Sequence, residues 1–270
     1  MKVNSITNAL RETTRFTYDE LNRDLPISYT DALNMLKEID EDIWVADAPF
    51  KYFGLSVGTR MTVIRLNNRE LAVISPIQIE NETCLELNKL GTVSHIIAPN
   101  LYHYLFASAF KNLYPKALFW ATSGLEVKKP ELLIDRTINN STDSFLGELQ
   151  CVLFDGFRLL GLNGVDSLNE WVFFHPQSRT LILTDTAFHF DNSFPLITQF
   201  AARVIGGYKS LSPSLLEKVA TTEKGKVKLA VQKILDWDFE RVIMAHGSII
   251  ESQGKQKFKA GYESFLGQTL

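Results

Sequence analysis

Two sets of short β-rich runs, each followed by helical segments, constrain this chain more than any other feature of its sequence. The first set comprises Ile43-Trp44-Val45-Ala46, the run 61–66 and the run 71–75; Asn67-Asn68-Arg69-Glu70 joins the last two as a hairpin loop. A polar helical segment over 82–90 follows, then the apolar run His95-Ile96-Ile97-Ala98, closed by Pro99-Asn100. Residues 104–113 show helical spacing, which Pro115 ends. The second set covers 148–154, 158–162, 171–175 and 180–184, with a tight hairpin at Pro176-Gln177-Ser178-Arg179. Helices over 195–204 and 226–235, a strand over 242–245 and a C-terminal helix complete the pattern. Each half thus supplies several antiparallel strands and then helices, which suits two packed sheets with helices on their outer faces.

A chain of 270 residues with 45% hydrophobic content can bury such a core as one compact unit. Residues 1–40 are polar and poorly periodic and read as an N-terminal arm of helix and coil, leaving 41–270 as the sandwich. The net charge of −3, without a run of Lys or Arg, favours neither nucleic acid nor a membrane as partner. Cys84 and Cys151 lie far apart with no C-x-x-C pair, so they read as reduced thiols and not as a disulfide or zinc site. The polar start, with no apolar leader and no membrane-length run, reads as a cytoplasmic protein.

Chemistry is carried by residues where apolar runs end. His246 follows Val242-Ile243-Met244-Ala245 and precedes Gly247, which places an imidazole at a sheet edge beside a turn that glycine makes easily; a neutral imidazole there can coordinate a metal. Asp185 closes Thr180-Leu181-Ile182-Leu183-Thr184 in the same way, and a carboxylate at that depth needs a cation, donors or water. His103 is expected at the start of a helix after Pro99-Asn100-Leu101-Tyr102. His175, beside Pro176, and His189, after the Asp185 loop, are expected at most behind the ligands or on a pocket wall. The aromatic series Tyr102, Tyr104, Phe106 and Phe110 has the spacing of core packing, except that Tyr102 carries a polar tip.

These landmarks, in order, resemble the metallo-β-lactamase superfamily, and the wording around 60–66, 74–77, 97–100 and 178–185 is similar to a branch of it known only as a domain of unknown function. The resemblance implies an α+β fold, a four-layer αββα sandwich of the metallo-β-lactamase type. It also implies a degenerate metal motif. Laying H-x-H-x-D-H on the chain with its last His on His103 puts Ala98, Asn100 and Tyr102 at the earlier ligand positions. A further family His falls near Gly161-Leu162-Asn163-Gly164, where there is none. Asp185, preceded by Thr184 in place of the usual Gly, and His246 match the remaining positions. In the family, the counterparts of His103, Asp185 and His246 touch the same ion, so the resemblance implies one zinc or iron ion held by those three residues. Asn100 and Tyr102 are then expected as pocket residues. Two functions stay open: a single-metal hydrolase acting on an ester, thioester or similar bond of a small molecule, or a metal-free pseudoenzyme that binds a small molecule or protein in a cleft filled by Tyr102 and Asn100.

Overall fold

Successive side chains on a strand point to opposite faces, and this alternation assigns every strand of the chain to its layer. The structure is a computed structural model that describes residues 35–139, 144–161 and 164–270. Strands β1 (Lys37–Asp40) and β2 (Ile43–Ala48) are followed by a small hairpin, β3 (Lys51–Tyr52) with β4 (Leu55–Ser56), and by β5 (Thr59–Arg65), β6 (Glu70–Ile74), β7 (Thr92–Ala98), β8 (Leu118–Ala121) and β9 (Arg136–Thr137). All of these except β3 and β4 form one sheet, ordered β1-β2-β5-β6-β7-β8-β9. Strands β10 (Gln150–Phe154), β11 (Arg158–Gly161), β12 (Gly164–Ser167), β13 (Glu170–His175), β14 (Thr180–Ile182) and β15 (Arg241–Ile243) follow. Of these, β10-β13-β14-β15 make a second sheet, and β11 pairs separately with β12.

The two sheets face each other. Ile43 and Val45 of β2, Ile64 of β5 and Ile74 of β6 point inward and share one buried cluster with Trp171 and Phe173 of β13, Ile182 of β14 and Ile243 of β15. Their sequence neighbours point outward. Trp44, Val63, Val73 and Ile96 meet Leu87 of α1 (Asn81–Leu90), Phe110 of α2 (Ala107–Leu113) and Leu125 of α3 (Leu125–Lys128). Helix α4 (Leu196–Ile205) packs on β4, and on the other side of the sandwich lie α5 (Leu215–Ala220), α6 (Lys224–Leu235) and α7 (Gly254–Leu266). There Val172, Leu181 and Val242 pack on Val231 and Ile234 of α6 and on Phe258 and Tyr262 of α7. The layers are therefore helix, sheet, sheet, helix, as the resemblance implies.

Pairing directions differ from the antiparallel halves read in the sequence. Antiparallel pairing holds for β1 to β6 in the large sheet, but β6-β7, β7-β8 and β8-β9 are parallel, and so is β14-β15. Each parallel step is a crossover through a helix, such as β6-α1-β7, and only such a connection lets neighbouring strands run the same way. The consequence for function is that β6 and β7, and likewise β14 and β15, present their C-terminal ends together. Of the expected N-terminal arm, Lys37–Asp40 pair with β2 as an edge strand; residues 1–34 lie outside the described residues. No described helix is long and apolar enough to cross a membrane.

Phe173 is fully buried at the centre of the inter-sheet layer, 5.4 Å from the ring of Phe145. Phe173→Ala is expected to lower the unfolding free energy by about 3–5 kcal/mol. A urea titration checks this, and a midpoint equal to that of the unsubstituted protein would contradict the two-sheet core.

Candidate metal centre

The residues that end these parallel strands meet at one end of the sandwich. Ser75 follows β6, Asn100 and His103 follow β7, Asp185 follows β14 and His246 follows β15. Candidate ligand atoms of His103, Asp185 and His246 all lie within 4.8 Å of one another. His103 Nε2 stands 3.2 Å from Asp185 Oδ2, and His246 Nε2 stands 3.4 Å from Asp185 Oδ1. The two rings are 5.3 Å apart, and Phe50 stacks on His246 at 5.6 Å.

The outer nitrogens of both rings are engaged. His246 Nδ1 lies 2.5 Å from the carbonyl oxygen of Gly58, which can only accept, so the ring proton sits on Nδ1 and the Nε2 lone pair faces Asp185. His103 Nδ1 lies 2.6 Å from Ser75 Oγ. Ser75 has φ 55, in a region few non-glycine residues occupy. Although Ser75, His103 and Asp185 line up like a nucleophilic triad, Ser75 is buried and does not line the pocket, so its hydroxyl acts on the ring and not on a substrate.

Asp185 is held by a network that the sequence reading did not include. Glu170, at the start of β13, is fully buried. Its carboxylate accepts bonds from the Thr184 and Asp185 backbone N–H groups at 2.9 and 2.7 Å, from the Thr184 and Thr186 hydroxyls at 2.6 and 2.8 Å, and from Asn100 Nδ2 at 3.2 Å. Asn100 works in two directions. Its amide nitrogen donates to Asp185 Oδ2 at 2.8 Å and to Thr184 Oγ1 at 2.9 Å, while its carbonyl accepts from the backbone N–H groups of Tyr102 and His103, both at 2.8 Å. The last two bonds fold 100–103 into a turn, so His103 sits on a loop ahead of α2 and not at the helix start expected from its spacing.

His246 is braced from the other sheet. Arg60 Nη1 donates to the carbonyls of Met244 and Gly247 at 2.8 and 2.9 Å, and its Nε pairs with Asp47 at 2.8 Å. Gly247 has φ +107, and a Cβ there would stand 2.2 Å from the His189 carbonyl oxygen. His189 therefore supports the loop through its backbone, with its ring near the Ser248 carbonyl at 3.1 Å.

Charge follows the geometry. Burial works to raise the Asp185 carboxyl, but the two imidazoles and the Asn100 amide outweigh it and hold it well below the usual carboxylate range. Burial depresses His103, and Asp185 more than restores it, leaving it above its ordinary value. For His246, burial dominates and keeps the ring below its ordinary value. Burial, then the charge of Asp185, pushes the Glu170 carboxyl upward.

A cavity of about 300 Å³ opens onto the three residues, lined in part by Phe50, Val57, Tyr102, Phe188 and Ala202. The cleft is not filled, contrary to the metal-free expectation: Asn100 lies beneath its floor, and Tyr102 stands on a wall, its hydroxyl donating to Asp166 at 3.1 Å. Of the aromatic series, Tyr102, Tyr104 and Phe106 line the cavity, and only Phe110 is in the core. His175 is not part of the site. It ends β13 opposite Glu170, roughly 16 Å away at ~3.3 Å per residue, and its ring contacts Ser178. Near the position of the missing family His, residues 162 and 163 lie outside the described residues.

Sequence comparison matches residues 40–205 to the family described as Domain of unknown function (DUF4336). No curated protein matches the chain. Among solved structures, the DIM-1 metallo-beta-lactamase exposed to ceftazidime is 14% identical with a TM-score of 0.58, over 85% of this chain and 96% of that one. The metallo-beta-lactamase FIM-1 from Pseudomonas aeruginosa, in its mono-zinc form, is 12% identical with a TM-score of 0.56, over 86% of this chain and 94% of that one. The metal-soaked flavodiiron core of Flv1 from Synechocystis sp. PCC6803 is 12% identical with a TM-score of 0.60, over 86% of this chain and 60% of that one. At such identities the likeness establishes the fold, which is of the metallo-β-lactamase type.

Glu170→Ala leaves four donors, the Thr184 and Asp185 N–H groups and the Thr184 and Thr186 hydroxyls, without their acceptor, while Asn100 keeps Asp185 and Thr184, and it is expected to destabilise the protein by about 3 kcal/mol or more. Glu170→Gln, which keeps one acceptor oxygen, should fall between it and the unsubstituted protein. Thermal unfolding of the three checks this; equal stabilities would show that the network does not hold the loop.

Proposed function

Because this chain belongs to the DUF4336 family, whose description carries no activity, its function has to be argued from the site, and we propose a hydrolase that works with one zinc or iron ion held by His103, Asp185 and His246. The observation that carries this reading is the orientation of His246. With its proton directed at Gly58, its Nε2 lone pair and the Asp185 Oδ1 lone pairs oppose each other across 3.4 Å. Two such acceptors repel in a buried place, and a cation between them removes the conflict. His103 directs Nε2 at the other Asp185 oxygen, completing a donor set of two nitrogens and one carboxylate. That set, with no thiol among the three, suits zinc or ferrous iron and leaves coordination open for water or substrate.

A bound divalent ion would polarise a carbonyl oxygen and lower the pKa of water at its open position. The chain's own residues prepare the place for this. The Gly58 carbonyl sets the tautomer of His246 and the Ser75 hydroxyl holds the orientation of the His103 ring, as outer partners of ligating histidines commonly do. Asn100 and Glu170 hold the carboxylate so that Asp185 need not reorganise. The mostly apolar walls shield an ester or thioester carbonyl from bulk water while it lies against the three residues. Tyr102 stands where the family carries a carboxylate, but its hydroxyl is turned to Asp166, so it binds and does not transfer protons.

A second reading, a binding protein that uses this cleft without an ion, draws on Asn100. Its amide occupies a former ligand position and bonds Asp185 directly, so a protonated His103 with Asp185 can balance charge on its own.

Elemental analysis of protein purified without chelator separates the two. The hydrolase reading expects close to one equivalent of zinc or iron, lost in His246→Ala and Asp185→Ala and retained in Tyr102→Phe. No metal in the unsubstituted protein, even after reconstitution, would leave the binding protein as the function.

A further inference from the structure

The cavity that opens onto His103, Asp185 and His246 has a chemical bias of its own. Its walls come from the β3–β4 hairpin, the 101–106 loop, the loop after Asp185, helix α4 and the start of α5. Most of the groups they present are aliphatic or aromatic. Apart from the three candidate ligands, the ionisable side chains on the walls are the hydroxyls of three tyrosines, Tyr52, Tyr102 and Tyr104, and one carboxyl, Glu217. Glu217 is tied into the cap of α5, accepting from the backbone N–H and hydroxyl of Ser214, and burial pushes it upward.

Among the described residues no Lys or Arg lines this cavity. Of the cations next to its walls in sequence, Lys51 is exposed on the β3–β4 hairpin, Arg158 pairs with Glu223 at 3.1 Å and Lys218 donates to the Ser264 carbonyl at 2.7 Å. Lys128 lies over the outer ring face of Tyr102 at 3.7 Å and donates to the Leu101 carbonyl. Arg60 is used on Met244, Gly247 and Asp47. Arg203, on α4, lies over Tyr208 at 3.7 Å. A carboxylate or phosphate entering the cavity would lose its water and find no Lys or Arg there, and the one imidazole raised toward its charged form, His103, is already paired with Asp185, so the penalty is large. An uncharged chain gains from the same walls in proportion to its apolar area.

The mouth continues this bias. Tyr52, Leu105 and Leu216 line the cavity yet stay 48%, 56% and 37% exposed, so the route inward is apolar as well. At about 300 Å³ the cavity is at the small end of ligand pockets, which run from ~300 to 1,000 Å³.

We propose that this cavity takes an uncharged lipophilic small molecule, with a medium-length aliphatic chain along the α4 wall and its polar group at His103, Asp185 and His246. The position of the polar group rests on the hydrolase reading above; the selection of a neutral chain does not.

The probes are straight-chain alcohols of six, eight and ten carbons, and decanoate, titrated calorimetrically into the purified protein with and without chelator. Binding of one alcohol per chain is expected, tightening about fourfold per methylene, with decanoate weaker than decanol in chelator-treated protein. Ala201→Trp fills the α4 wall and Leu216→Asp charges the mouth; each is expected to weaken decanol binding by roughly tenfold or more. The second change is at a half-exposed site that tolerates it. No decanol binding, no dependence on chain length, equal binding in both variants, or decanoate binding as tightly as decanol without metal would each overturn the proposal. Metal content measured on the samples prepared without chelator keeps the two readings apart: decanol binding to protein that holds no metal even though no chelator was used overturns only the ion, and metal present without decanol binding overturns only the lipophilic ligand.

Discussion

Glu170 is a carboxylate sealed from water, surrounded by five hydrogen-bond donors and no cation. A group of that kind is tolerated in a protein interior only when its acceptor capacity is filled. Filling it requires the backbone of Thr184 and Asp185 to turn inward after β14, and requires the Asn100 amide to approach from β7. The Asp185 side chain is then aimed at the gap between the sheets, and the 100–103 turn that carries His103 is fixed by the other end of the same Asn100 amide. Two of the three candidate ligands thus depend on one buried acid. The third, His246, depends on Gly58 and Arg60, which reach across from β5 and the residue before it.

The sandwich makes this economical. Parallel pairing of β6 with β7 and of β14 with β15 brings four strand ends to one side of the fold, each followed by a loop free to carry a polar group. The inter-sheet core behind them is apolar and continuous, so the polar groups are confined to that end. The hairpin β3–β4 and helix α4, joined by the Thr198 hydroxyl bond to the Ser56 carbonyl at 3.1 Å, extend the end into a cavity. Fold and site are separable here: the layers come from alternation of apolar residues, and the chemistry from what stands at the strand ends.

Much of this was legible in the sequence, for identifiable reasons. Runs such as 43–48, 61–66 and 171–175 alternate residues for two different buried faces, and both faces are apolar, which marks sheets covered on both sides. His246 and Asp185 were legible because each ends an apolar run. Strand direction was not, since it is set by the crossover helices and not by the strands' own composition. The helix expected from 104 begins at Ala107, after a turn in which the Ala107 N–H donates to the Tyr104 carbonyl at 2.9 Å. Glu170 and Arg60 read as polar flanks of their strands, and only the three-dimensional arrangement shows which donors and acceptors they meet. His175 illustrates the converse: a histidine at a strand end is a site residue only if it is the correct end, and β13 arrives at the site with Glu170.

The central claim is that His103 and His246, each through Nε2, share a single ion with the Asp185 carboxylate. X-ray absorption at the zinc edge of the zinc-loaded protein tests it most directly. The expected result is two imidazole nitrogens at ~2.0–2.1 Å and oxygen at ~2.0–2.2 Å, with no sulfur. A sulfur scatterer near ~2.3 Å, fewer than two imidazoles, or a second metal at about 3.5–4 Å would contradict it.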